Sequence, residues 1–314
     1  DDGEVLSVDL KNRFEAHKLV EEFMVMANVC AAETLEANQE TLLYRVHEEP
    51  TLEKLNALRE VVEDSGLKLA KGQVLKTHHL NKLLDTAEKS EDAEIINMTV
   101  LRSMSQAYYS PSSLGHFGLN LRRYAHFTSP IRRYADLIVH RALISTHKFG
   151  DDGLIDADRE QLKEIGEWIS STERRSMLAE RDTSDRYLAA FLSDRIGLEF
   201  TGRISGIAKF GLFVKLDTSG ADGIIPLSKL GREYWRYDDR ERTLTGEDSG
   251  RIISIGMPCK VSLVEATAIT GGISLEMLEL EGKVIPKSSS RKTSHKGRRI
   301  MRSKDKKRKR KINN

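Results

Sequence analysis

The chain has 314 residues, enough for two or three domains. Hydrophobic residues make up 39% and charged residues 31%, which excludes collagen-like, disulfide-framework and wholly disordered chains. The net charge of +2 conceals a split: residues 283–314 hold 15 Lys/Arg and one acid, Asp305, and the rest hold 35 of the 50 basic and 47 of the 48 acidic side chains.

No apolar run reaches 18 residues, so no membrane span is expected. Residues 1–14 lack the basic-then-apolar order of a signal peptide. Cys30 and Cys259 are too few and too far apart for a disulfide framework or a zinc site. A reducing compartment, the cytoplasm, is the expectation.

In chain order, residues 4–10 alternate like a short strand. Residues 15–37 read as a helix with Ala16, Val20, Phe23, Ala27 and Ala31 on one apolar stripe. A second helix follows Pro50, with Thr51 as N-cap, Leu52, Leu55, Leu58 and Val62 as its apolar face, and Gly66 as its stop. Residues 78–88 and 92–107 read as two more helices, and residues 115–118 as a turn. Helix returns at Pro130 and runs to about His147. A long charged helix covers about 157–195.

From Gly197 the pattern becomes β. Residues 197–216 give two alternating runs around a Gly-rich turn, 221–230 a third segment, and 259–278 a hairpin turning at Gly271 and Gly272. Five short strands in some 80 residues predict a small closed barrel of the oligonucleotide-binding type. After Pro286 the chain is too polar to fold alone. The predicted class is α+β: mainly helical with a partial sheet over 1–195, a five-stranded barrel over 197–280, and a Lys/Arg-rich tail over 283–314.

The stretch richest in chemistry is residues 124–136, YAHFTSPIRRYAD. Ser129 as N-cap and Pro130 at the first helical position predict a helix start, which presents unpaired N–H groups to an anion. Arg132 and Arg133 then fall in the first turn, where the helix dipole disfavours cations, and a bound phosphate would compensate them. Arg132, Asp136 and His140 share a face at four-residue spacing, so Asp136 could orient Arg132. The alternative is an ordinary cap whose arginines pair with nearby acids.

Residues 115–143, GHFGLNLRRYAHFTSPIRRYADLIVHRAL, resemble the signature of the RNB-domain exoribonucleases, the ribonuclease II / ribonuclease R family. Residues 16–32, 47–67 and 101–111 are similar to the same family, and the barrel stands where the family carries its S1-type RNA-binding domain. The resemblance implies processive 3′→5′ hydrolysis of RNA to nucleoside 5′-monophosphates, with magnesium held by an aspartate cluster. It implies that Arg132 is the catalytic arginine contacting the scissile phosphate. It places Tyr124, His126, Ser129 and Arg133 along the RNA. Glu173 matches a glutamate lining the path of the RNA 3′ end, and Glu180, two turns further on, is the weaker match. For both, a solvated helix surface is the plain alternative.

The aspartate cluster has no counterpart in context here, so no metal ligand is assigned within the chain and the ligands are expected upstream. The chain thus reads as the C-terminal part of such an enzyme, inactive alone. It would be a cleavage product with its partner still attached, one half of a split enzyme, or a degenerate RNA-binding paralogue. The apolar stripe of the 15–37 helix and the intact Arg132 motif favour the first two.

In the barrel, residues 209–213 resemble the S1 fingerprint, with Phe210 and Phe213 as base-stacking candidates and Arg203 and Lys209 as the nearest cations. Alternation puts Phe213 and Lys215 on one face and Leu212 and Val214 on the other. Pro226 sits where many relatives have a His. Tyr234, Trp235 and Tyr237 either add stacking or close the barrel. The tail is expected to bind RNA or ribosomes without sequence preference. The partners implied are single-stranded RNA 3′ ends and the N-terminal portion, with no membrane.

Overall fold

The computed structural model describes residues 5–9, 12–69, 75–88, 90, 93–239 and 242–285. Three apolar cores organise them, two in the helical part and one in the barrel. The sequence expectation for 286–314 lies outside the described residues.

Helix α1 (Glu15–Ala37) has the predicted bounds. Its burial differs from the prediction. Asn28, Ala31, Ala32 and Leu35 are buried, while Val20 and Phe23 of the predicted stripe stand more than half exposed. Among the described residues, only the C-terminal half of α1 is buried. The preceding residues 5–9 form no strand, contrary to the alternation read there, and residues 4 and 10 lie outside the described set.

Strand β1 (Tyr44–Val46) follows and pairs antiparallel with β2 (Tyr108–Ser110). Between them lie α2 (Leu52–Asp64), α3 (Thr77–Ala87) and α4 (Ala93–Ser103). Thr51 caps α2 by accepting from the Lys54 N–H at 3.4 Å, and Gly66 stops it at φ +73°. Leu55, Leu58 and Val62 join Leu80, Leu83, Ile96 and Val100 in one core. Leu52, assigned to the same face, is exposed because it sits in the first turn beyond that core. Helix α4 ends four residues short of the predicted 107, where the chain turns into β2.

Helix α5 (Tyr134–His147) starts four residues after the predicted Pro130. A short α6 (Asp156–Glu160) and the 32-residue α7 (Leu162–Ser193) replace the single long helix, with the join at Gln161. Helix α7 docks on β2 at Gly166. A Cβ there would meet the Tyr109 carbonyl oxygen at 2.8 Å, so only glycine permits the approach. Ser170, one turn on, accepts the Tyr109 N–H at 2.9 Å and donates to the Gly166 carbonyl at 2.6 Å.

The barrel opens with β3 (Glu199–Ala208), β4 (Gly211–Leu216) and β5 (Asp222–Pro226). An excursion follows: β6 (Trp235–Asp238), β7 (Thr243–Gly246) and β8 (Ile252–Ile253) form a separate three-stranded sheet. Strands β9 (Pro258–Thr267) and β10 (Gly272–Leu280) complete the ring, and β11 (Lys283–Val284) hangs on β10. Pairing runs β10-β5-β4-β3-β9 and back to β10, closing five strands as predicted. Ala189 and Leu192 of α7 enter the barrel core, so one helix belongs to both bodies. Trp235 is buried in that core and donates Nε1–H to the Leu230 carbonyl at 2.7 Å, so this member of the aromatic cluster closes the barrel, while Tyr234 is exposed.

Gly166→Ala is expected to lower stability by about 1–3 kcal/mol, the usual range for overpacking. The measurement is the urea midpoint for loss of helix. An unchanged midpoint would mean that α7 can move off β2 freely.

Candidate active site and RNA-binding face

The loop before α5 is organised by a buried carboxylate. Asp136, in the first turn of α5, has no exposed surface. One oxygen accepts the Ser129 N–H at 2.8 Å, and both take the Arg133 guanidinium, at 2.8 Å from Nε and 2.7 Å from an Nη. Residues 130–132 form a turn closed by the Arg132 and Arg133 N–H groups on the Ser129 carbonyl, at 3.3 and 3.1 Å. This corrects two sequence expectations. Ser129 does not cap the helix, because the chain turns at 130–132 and the helix begins only at Tyr134, with Arg133 in the N-cap place. Asp136 orients Arg133, not Arg132, because its two oxygens are taken by the Arg133 guanidinium three residues before it. The guanidinium of Arg132 is exposed, and among the described residues nothing accepts from it.

Arg132 and Arg133 line a cavity of about 780 Å³ between this loop and α7. Helix α7 contributes Trp168, Glu173, Arg175 and Glu180, and β2 contributes Tyr109. The structure therefore brings Arg132, Arg133, Glu173 and Glu180 to one cavity, although 41 residues of sequence separate Arg132 from Glu173. Glu173 does not point free into solvent. Its two oxygens take Arg45 at 2.6 and 3.0 Å. Sequence reasoning missed Arg45, Tyr109, Trp168 and Arg175. Arg45 carries one faint signal, a lone cation between two core residues of a short strand, Tyr44 and Val46.

Behind the cavity lies a layer of rings. Tyr109 hydrogen-bonds the Nδ1 of His126 at 2.8 Å, and its ring faces the Arg45 guanidinium at 4.6 Å. Burial pushes Tyr109 up to about 12, so its hydroxyl keeps the proton. Burial, with the positive charges of Arg133, Arg45 and Arg132 near it, pulls His126 down to about 3. His116 falls to about 4 through burial and then its neighbour His47. Tyr124 is buried, and its hydroxyl accepts from Asn28 Nδ2 at 3.0 Å; Asn28 in turn accepts the Phe127 N–H at 2.9 Å. Tyr124 therefore ties the motif to α1 and does not line the cavity. His140 stacks on Phe127 and bonds its carbonyl through Nε2 at 2.8 Å.

The described donors do not fit a magnesium ion by themselves. Asp136 is held by Arg133, Glu173 by Arg45, and the remaining carboxylate, Glu180, is a single ligand beside three arginines. Among the described residues no group of three or more His, Cys, Asp or Glu is placed to hold a metal.

On the barrel, Leu212 and Val214 point inward and are fully buried, while Lys215 is exposed and Phe213 partly so. Phe210 is 61% exposed and meets Phe213 edge-on, with centroids 6.0 Å apart. Lys209 sits over the Tyr237 ring at 5.9 Å, and Arg203 pairs in register with Lys215. Two aromatics and three cations thus share one outer face.

A helical body carrying an arginine-lined cavity, joined by one helix to a closed five-stranded barrel, defines a class. The RNB domain model matches residues 1–148 and the S1 RNA binding domain model matches 193–278, so the chain carries RNB and S1 domain sequence. Its similarity is to ribonuclease R. The Escherichia coli ribonuclease R is 38% identical over 257 residues, covering 79% of this chain and 32% of the relative. Ribonuclease R of Mycoplasma genitalium, solved with ribose methylated single-stranded RNA, superposes with a TM-score of 0.77 at 30% identity, covering 85% of this chain and 42% of that one. Its complex with double-stranded RNA superposes at 0.66 and 29% identity, with the same coverage. The chain spans about a third of the length of the curated relatives it matches. Among the described residues no helix is long and apolar enough to cross a membrane.

The two half-buried histidines predict an acid-sensitive fold. Their folded-state values lie below the ordinary 6.5, so the unfolded chain binds protons first as pH falls. Their contribution is complete above about 6.5 and declines toward pH 4. Urea titrations across this window should show the decline, and His126→Asn should flatten it. An equal slope in the variant would contradict the assignment.

Proposed function

We propose that this chain supplies the arginine-bearing side of the active site, and the S1 platform, of a processive 3′→5′ exoribonuclease that releases nucleoside 5′-monophosphates. The carrying observation is the exposed Arg132 guanidinium beside an Arg133 locked onto buried Asp136. A fixed loop holding one uncommitted guanidinium at a cavity wall is suited to an RNA phosphate. Two parallel N–H donors match two phosphate oxygens. As charge builds on the phosphate oxygens during hydrolysis, such a preorganised cation lowers the barrier. Ser129 and Arg133 hold the loop, and His126 stays neutral behind it, so Arg132 is the cation that meets substrate. The RNA complex of the Mycoplasma genitalium relative supports RNA as the ligand.

Magnesium supplies a metal-activated water in such hydrolysis. In this proposal its carboxylate ligands belong to residues outside the 314, in a polypeptide that completes the catalytic domain. Residues 1–195 and 197–280 act as catalytic part and RNA platform, and 283–314 as a basic arm that adds nonspecific RNA or ribosome affinity. The working compartment is the cytoplasm.

The test is complementation. The chain, mixed with the remaining part of the Escherichia coli relative, is assayed on 3′-tailed single-stranded RNA with magnesium. Mononucleotide release is expected from the mixture, and Arg132→Ala should lower turnover by about 10²–10³-fold while RNA affinity changes little. Wild-type turnover with Arg132→Ala would overturn the assignment.

A second reading, an RNA-binding protein without catalysis, is favoured by one observation, the outer face carrying Phe210, Phe213 and Lys209. Both readings require that face to bind RNA. Phe210→Ala is expected to weaken single-stranded RNA binding by about 1–3 kcal/mol, measured by fluorescence anisotropy. RNA bound at the platform but never shortened in the complemented mixture would select the second reading.

A further inference from the structure

We propose that Trp168 is a stacking site in the cavity wall, the ring on which one base of a bound single strand lies. This rests on the reading of the cavity as a place where RNA is held. The chain has two tryptophans. Trp235 is buried, with its Nε1–H on the Leu230 carbonyl. Trp168 is the opposite case. It is 66% exposed, although Gly166 and Ile169 beside it on α7 are buried against β2 and the helical core. Among the described residues nothing hydrogen-bonds its indole or stacks on it.

Trp168 heads a stripe. Trp168, Thr172, Arg175 and Ala179 follow at i, i+4, i+7 and i+11 along α7, so they share one face, and all four line the cavity. The helix rise puts Trp168 and Arg175 about 10.5 Å apart along the axis. Thr172, between them, is short and half-buried, so the exposed ring and the exposed guanidinium stand on either side of a dip.

An indole and a guanidinium on one face suit a strand running along it, with a base on the ring and a phosphate on the cation. The wall across the cavity adds the exposed Arg132. Of the two carboxylates lining the cavity, Glu173 is held by Arg45, which leaves Glu180 against Arg132 and Arg175. A protein surface packed over this face would take those arginines out of water, at a desolvation cost that only further acids would offset. A nucleotide brings its own anion together with a flat apolar ring. The occupant is therefore a nucleic-acid strand. Stacking reads no base edge, so Trp168 selects no sequence. It fixes how the strand is seated, because the base on the ring decides which phosphate reaches Arg132.

The experiment is an abasic scan read as a cycle between protein and RNA. A short oligoribonucleotide, and versions lacking one base at each position in turn, are bound to the complemented mixture without magnesium, and affinity is followed by fluorescence anisotropy. In the wild type, loss of the base on the ring is expected to weaken binding about tenfold. Trp168→Ala should bring that loss within about twofold and leave the losses at other positions alone, since ring and base act as one unit. Trp168→Phe, which keeps a ring, should retain about threefold or more. Phe210→Ala should erase the loss at a different position and keep this one. A second readout needs only the 314-residue chain. RNA should quench the emission of the exposed indole, and the Trp168→Phe chain, left with buried Trp235, should show no change. RNA bound with unchanged emission, or an abasic profile indifferent to Trp168→Ala, would overturn the proposal. So would a Trp168→Ala chain that assembles poorly with the Escherichia coli part without any position-specific change, since a protein face would then cover the indole. If Arg132→Ala keeps wild-type turnover, the cavity reading itself fails; if Arg132→Ala is inactive while the abasic profile ignores Trp168, only this inference fails.

Discussion

The buried charge of Asp136 is the constraint on which the active-site side of the molecule depends. A carboxylate removed from water costs several kcal/mol unless its partners surround it. Here they are a two-point guanidinium and a backbone N–H, both drawn from the loop just before it. Satisfying Asp136 therefore dictates the path of residues 129–133. That path uses up Arg133 and turns Arg132 outward. The difference between two adjacent arginines, one structural and one available, follows from a single desolvated acid. The neutral state of His126 follows from the same arrangement, since burial and the nearby guanidiniums disfavour a further positive charge.

Helix α7 carries this local order to the rest of the chain. Its 32 residues span about 48 Å. Its first turns pack with Leu43, Ile138 and Val139, and its last turns with the barrel strands. Gly166 and Ser170 set its distance from β2, Glu173 joins it to β1, and Ala189 and Leu192 seal it into the S1 core. One continuous helix thus joins the cavity wall to the barrel core, and under the proposed function it links the two places where RNA would be held.

Much of the fold was legible in the sequence because it depends on local period. The barrel alternation was correct residue by residue around 212–215, and the bounds of α1 were read without error. What was not legible depends on partners distant in the chain. The Ser-Pro pair is a sound helix-start signal by itself, yet the chain makes a separate turn at 130–132 and the helix begins only at Tyr134, where Asp136 seven residues on ties back to the Ser129 N–H. The Arg45–Glu173 bridge joins residues 128 apart, and no spacing rule reaches that far. The motif drew attention to Tyr124, but an aromatic in a motif looks the same whether it faces a ligand or, as here, Asn28 and the core. Val20 and Phe23, read as part of the apolar stripe, are exposed, and the described residues offer no partner to cover them.

The most direct test of the central claim is a structure of the complemented enzyme with a short single-stranded RNA whose terminal linkages are ribose-methylated to prevent cleavage. The account predicts a phosphate within hydrogen-bond distance of the Arg132 guanidinium, with Arg133 still on Asp136. RNA lying only across the Phe210 face, with Arg132 turned to solvent or paired with a protein carboxylate, would contradict it.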